Sequence, residues 1–271
     1  MRPSAPGTPR PSTSEAIDRT VRKRRIVIGI IAAAVVVVLA ALVYVFEFTS
    51  TGYRMTVPYR STFVEAADHV YVQKDSLIRE EDALRLTKEA QARVTAFYGE
   101  LQCPATTYII LWEDPALLSK LGGDHDTCTV FFPSKRHYVS VSKEYLELDI
   151  LAHELTHAEL HTRLDEKVLR ALPTWFDEGL ATQNDDRPRY SEVAWQEQTE
   201  NGARAVALED MDTPDEFYAG TSDERQFRYV CAKHEVRTWM DSHGQAGLLA
   251  LLDALASGEP FETAYGMTDP E

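Results

Sequence analysis

An α+β domain preceded by a single N-terminal transmembrane helix is the fold class that three features of the sequence predict. These are an uncharged apolar run near the start, a series of short β-rich runs through the middle, and a helical pattern from residue 145 onward. Val70-Tyr71-Val72 reads as a strand, and Glu80 to Gly99 as a helix with apolar residues at Leu84, Leu86, Ala90, Val94 and Phe97. Thr106 to Trp112 is the next strand. Thr127 to Phe132 and His137 to Val141 follow, with Pro133-Ser134-Lys135-Arg136 as their turn. Apolar residues at 146, 148, 150, 151, 155, 158 and 160, with no Gly or Pro from 134 to 172, predict a helix over about 145–163.

Ile26 to Phe46 is 21 residues without a charge, which at ~1.5 Å per residue spans a ~30 Å hydrocarbon layer. Arg22-Lys23-Arg24-Arg25 abuts its start and Glu47 follows its end, so the positive-inside rule places the N-terminus in the cytoplasm and everything after Phe46 outside. A cleaved signal peptide is the competing reading. Its apolar core is normally 7 to 15 residues long and followed by a small-x-small site, which Thr49-Ser50-Thr51 matches poorly. The sequence thus divides into a basic cytoplasmic tail expected to be disordered (1–25), the span (26–46), a tether (47–60) and an extracytoplasmic domain (61–271).

Residues 1–25 hold seven of the 28 Lys/Arg and two of the 43 acidic residues, leaving 21 basic against 41 acidic residues beyond. That balance excludes nucleic acid as a partner of the outer domain, because phosphate contacts need clustered cations. The basic end of the tail can lie against anionic lipid headgroups.

The most informative segment is Ala152-His153-Glu154-Leu155-Thr156-His157-Ala158. Histidines four apart on a helix share one face, one turn apart, so both imidazoles can reach one metal ion. Glu154 sits at the edge of that face, where its carboxylate can take a proton from a metal-bound water without binding the metal. This is the ligand-and-base spacing of a zinc peptidase. A plain core helix would more often carry Leu or Ala at 153 and 157, since buried imidazoles need partners for their ring nitrogens. His161, eight residues beyond His153 and ~12 Å along the axis, cannot converge on the same tetrahedral centre and is expected at the site's edge or on the surface. A third ligand is better sought after Leu172-Pro173, in Thr174-Trp175-Phe176-Asp177-Glu178-Gly179-Leu180-Ala181-Thr182, where Thr174 can cap a second helix and Glu178 falls in its first or second turn.

Taken together, His153-Glu154-Leu155-Thr156-His157 and the downstream Pro173-x-Trp175-x-x-Glu178-Gly179-Leu180-Ala181 resemble the gluzincin clan of metallopeptidases, in particular the peptidase-MA-like family. The resemblance implies a zincin fold, in which an edge strand can hold an extended peptide and the strand at 137–142 is the candidate for that edge, with Zn2+ as cofactor, Glu178 as the third zinc ligand and Thr182 as a brace on a ligand. The gap between His157 and Glu178 is slightly longer than in the gluzincin aminopeptidases, and no exopeptidase motif precedes the helix. An endopeptidase acting on a peptide or protein substrate is therefore the expectation. The helix through Tyr229 resembles the family's C-terminal helices and makes Tyr229 the candidate donor to a tetrahedral oxyanion, with His234 as runner-up. A catalytically silent binding or assembly module that kept the fold is the alternative. An intramembrane protease is disfavoured because Glu147, Asp149, Glu154 and Glu159 charge the motif helix. Among the three cysteines, Cys103 and Cys128 are the candidate disulfide in an oxidising compartment.

Overall fold

The computed structural model describes the backbone of residues 13–122, 127–131 and 136–266, and the side chains of 22–122 and 136–266. The chain divides into an N-terminal unit ending at Met55 and a domain from Thr56 onward.

The N-terminal unit is built on α1 (Thr13–Phe48), followed by α2 (Ser50–Thr56), which spans the division between the two units. Within α1, Arg22–Phe48 is long and apolar enough to cross a membrane, and its apolar side chains are exposed; by length and composition a signal sequence fits it as well. One expectation changes here. The helix begins at Thr13, inside the segment expected to be a disordered tail; the prolines at 3, 6, 9 and 11 all precede it, and once a helix is nucleated each further residue adds a hydrogen bond. The expected tether is largely helical too, as α2 and the 3-10 turn Val57–Tyr59.

The domain is mixed α+β. Strands β1 (Phe63–Ala67), β2 (Val70–Gln73), β3 (Thr107–Trp112), β4 (Thr127–Phe131) and β5 (His137–Ser142) form one sheet in the order β1-β2-β3-β5-β4. The outer pairs are antiparallel and the inner pairs β2–β3 and β3–β5 parallel. Strand β5 is consequently interior, and β4 takes the edge position expected of it. The reason lies in burial: every residue of β5 is buried, and such an uninterrupted run suits a strand covered on both faces.

Helix α3 (Glu80–Tyr98) links β2 to β3; Glu80, Glu81 and Asp82 complement the dipole of its first turn, and Gly99 at φ 87° ends it. Helix α4 (Leu148–Arg163) packs on α3 and against β5, burying Leu151, Ala152, Leu155, Ala158 and Leu160. It starts later than its apolar pattern suggests, because Lys143–Tyr145 forms a 3-10 turn and Glu147 is extended at φ −127°. After α5 (Glu166–Leu169) come α6 (Thr174–Thr182), α7 (Glu192–Thr199), α8 (Pro214–Phe217), the long α9 (Ser222–Ala256), kinked at Gly244, and α10 (Phe261–Gly266). Pro173, not Thr174, holds the N-cap position of α6, with no side-chain cap.

Helices α4, α6 and α9 position the site. A buried carboxylate, Glu159, anchors α4 by accepting from the backbone N–H groups of Gln102 and Cys103 and from Arg163 Nε. Arg93 of α3 ties the start of α4 to the end of α6, donating to Asp149 at 2.5 Å and to the Asn184 carbonyl at 2.9 Å. Helix α6 crosses α9 at Gly179, where a Cβ would stand 2.5 Å from the Ala232 carbonyl oxygen. Cys103 and Cys231 are free, buried thiols, so the structure does not form the expected Cys103 bridge; the side chain of Cys128 lies outside the described residues. Gly179→Ala should force the helices apart and lower stability by about 1–3 kcal/mol, read from thermal unfolding, with Gly266→Ala, which meets open space, as the neutral control.

Candidate metal centre

One turn of α4 and the middle of α6 bring three ligand atoms to a single point. His153 Nε2 and His157 Nε2 are 3.2 Å apart, and Glu178 Oε2 lies 3.4 Å from the first and 3.5 Å from the second. A tetrahedral ion with metal–ligand bonds of ~2.0–2.1 Å separates its ligands by roughly 3.3–3.4 Å. The triangle therefore has the size that such an ion requires. His157 and Glu178 are buried, and among the described residues Glu178 Oε2 is a buried acceptor without a hydrogen-bond donor. The donor set, two imidazoles and one carboxylate, suits zinc, and the group can hold a metal ion.

The surrounding contacts fix which atoms face the centre. Asp177, one residue before Glu178, lies with Oδ1 2.6 Å from His157 Nδ1. The ring thus donates from Nδ1 and turns the lone pair of Nε2 toward His153 and Glu178. The other Asp177 oxygen is 3.2 Å from His161 Nε2, so the edge histidine predicted from the sequence holds the carboxylate that orients a ligand. His157, His161 and Asp177 form a second group of metal-binding type, but their close contacts are these two hydrogen bonds. The Tyr218 hydroxyl donates to Glu178 Oε1, leaving Oε2 toward the histidines. Tyr218 follows α8, and the residue is 40 % exposed although its hydroxyl reaches the buried Glu178.

Burial alone would push Asp177 and Glu178 upward, but the charge of His157 on both, with that of His161 on Asp177 and of His153 on Glu178, outweighs it and holds both carboxyls well below the usual range. Burial would lower His157; Asp177 and Glu178 reverse this and raise it well above the ordinary imidazole value. Burial, reinforced by Glu178, raises the phenols of Tyr218 and Tyr229, so both remain proton donors at neutral pH.

The other sequence-derived candidates fall as follows. Glu154 is buried on α4 beside the two ligands, and its charge reaches the phenols of Tyr218 and Tyr229. The Tyr229 ring packs 6.2 Å from the His153 ring, between Phe217 at 5.0 Å and Tyr190 at 5.8 Å. His234 is instead stacked on Trp195 at 3.4 Å with Nδ1 3.0 Å from Glu192. The Thr182 hydroxyl donates to the main-chain carbonyl of Glu178 at 2.5 Å, bracing the helix rather than the ligand side chain. Asp177 and Tyr218 escaped the sequence reading. A helical register drawn from Glu178 would have placed Asp177 on the adjoining face, whereas Tyr218, 40 residues downstream, carries no local signal.

No protein-family model matches the chain, and no curated protein is significantly similar to it in sequence.

The raised His157 sets a pH dependence. In the metal-free protein its stabilisation by Asp177 and Glu178 is full below the unfolded imidazole value of ~6.5 and is lost as pH rises through the higher folded value. The lowered carboxyls contribute above ~4 and lose that contribution as pH falls through their folded values. A divalent ion must displace the His157 proton. Zinc added to metal-free protein at pH 6.5 should therefore release about one proton per site, and its affinity should rise with pH; pH-stat titration measures both.

Proposed function

We propose that this chain is a membrane-anchored zinc peptidase of gluzincin type, with its N-terminus cytoplasmic and its domain outside, acting on peptide bonds of peptide or protein substrates. The observation that carries the reading is the triangle of His153, His157 and Glu178 ligand atoms, 3.2–3.5 Å on a side, one corner of which is a buried oxygen that no donor among the described residues satisfies. The resemblance of the two motifs to the peptidase-MA-like family and the α+β architecture support it, as does an N-terminal helix long enough to span a bilayer.

When bound, Zn2+ supplies Lewis acidity, lowering the pKa of water toward ~7 and polarising the scissile carbonyl. The chain's own residues do the rest. Glu154 accepts the proton of the attacking water and returns it to the leaving amine, so that the water oxygen bonds to the carbonyl carbon as the C–N bond breaks. Asp177 keeps His157 in the tautomer whose Nε2 is a ligand. Tyr218 holds Glu178 through one carboxylate oxygen and frees the other. Tyr229, a phenol kept protonated by burial beside His153, is the candidate donor to the oxyanion.

Glu154→Gln should bind zinc as the parent does, by metal analysis, yet hydrolyse a peptide library about 10²–10⁴-fold more slowly. Equal turnover by this variant would remove Glu154 as the base. A zinc-replete parent that cleaves nothing chelator-sensitively would point to a silent binding module.

A further inference from the structure

Beyond α6 the turn Pro188–Tyr190 carries two arginines against one ring, with the guanidinium carbons of Arg187 and Arg189 at 5.3 and 5.2 Å from the Tyr190 ring centre. Their charges are used differently. Arg187 is bonded through both Nε and a terminal nitrogen to the fully buried carboxylate of Asp185, so the fold itself neutralises it. Arg189 is exposed and, among the described residues, has no acidic partner. Acidic residues outnumber basic ones about two to one in this domain, and Arg79, Arg85, Arg93 and Arg163 by contrast sit in ion pairs.

Its position ties it to the metal centre. The Tyr190 ring stands 5.8 Å from Tyr229, which stands 6.2 Å from His153. Burial raises the Tyr190 phenol, Arg189 is the strongest charge opposing that rise, and Glu178 is among those adding to it, so the ring lies within electrostatic reach of both. Stacking on an aromatic face limits the freedom of the guanidinium while leaving its donors open.

We propose that Arg189 is a specificity determinant that selects substrates by a carboxylate, placed within about four residues of the scissile bond along an extended peptide. The proposal rests on the peptidase reading and adds its substrate class. A guanidinium fork matches a carboxylate with two parallel hydrogen bonds, and an Asp or Glu side chain or a free peptide C-terminus supplies the same chemistry.

The test uses zinc-loaded full-length protein and a proteome-derived peptide library, in free-acid and C-terminally amidated forms, with cleavage products read by mass spectrometry. Enrichment of Asp and Glu at one fixed position in both forms identifies a side-chain carboxylate; a preference that vanishes on amidation identifies the C-terminus. In Arg189→Gln the preference should disappear, with the kcat/KM ratio of an acidic peptide to its amide isostere falling about tenfold, mainly through KM. Arg189→Glu should favour Lys or Arg at the same position. Cleavage with no carboxylate preference, or the same preference in Arg189→Glu, overturns the inference while leaving the peptidase reading intact. Absence of any cleavage by the parent overturns the peptidase reading instead. Fluorescence anisotropy of a labelled Glu peptide and its Gln isostere on Glu154→Gln protein then decides the role of Arg189: tighter Glu binding that Arg189→Gln abolishes supports it, and equal binding overturns it.

Discussion

A buried carboxylate oxygen facing two imidazole nitrogens is the constraint around which the domain is organised. Three acceptor-capable atoms within 3.5 Å of one another repel unless a cation lies among them, and burial deprives them of water as a substitute. Two cations can serve. A proton on His157 is one, which is why its affinity for protons is raised; a divalent metal is the other, and the spacing of the atoms suits it. Proton and metal thus compete for one place.

The surrounding fold makes that place rigid. Asp177 and His161 fix the tautomer of His157, and Tyr218 occupies the Glu178 oxygen that does not face the histidines. Farther out, Arg93 locks the start of α4 to the end of α6, and Gly179 lets α9 press its backbone against the residue beside Glu178. Because the ligands come from two helices, the separation of those helices sets the size of the triangle. The same region offers an aromatic wall, Tyr190, Phe217 and Tyr229, that ends in the exposed Arg189.

How much of this could be read from the sequence follows from the range of each interaction. The strands at Val70, Thr107, Thr127 and His137, helix α3 and the body of α4 were legible because periodicity and turn residues are local. His153 and His157 were legible for the same reason, since a spacing of four fixes a shared helix face. Strand order was not, because whether β5 or β4 lies at the edge depends on which faces other elements cover. Helix starts were shifted by one 3-10 turn, a small energetic choice that apolar pattern does not encode. Tyr218 could not have been singled out among twelve tyrosines, since its role arises only when the turn after α8 meets α6. The tail was expected to be disordered on composition alone, yet with no Pro between 12 and 56 α1 already begins at Thr13.

Zinc K-edge X-ray absorption on stoichiometrically loaded protein reads the ligands of the centre themselves. Two imidazole nitrogens and at least one carboxylate oxygen should appear at about 2.0–2.1 Å, with the imidazole signature halved in His157→Ala and binding weakened in Glu178→Ala. Sulfur scattering at about 2.3 Å, or an unchanged spectrum and affinity in both variants, would contradict that ligand set.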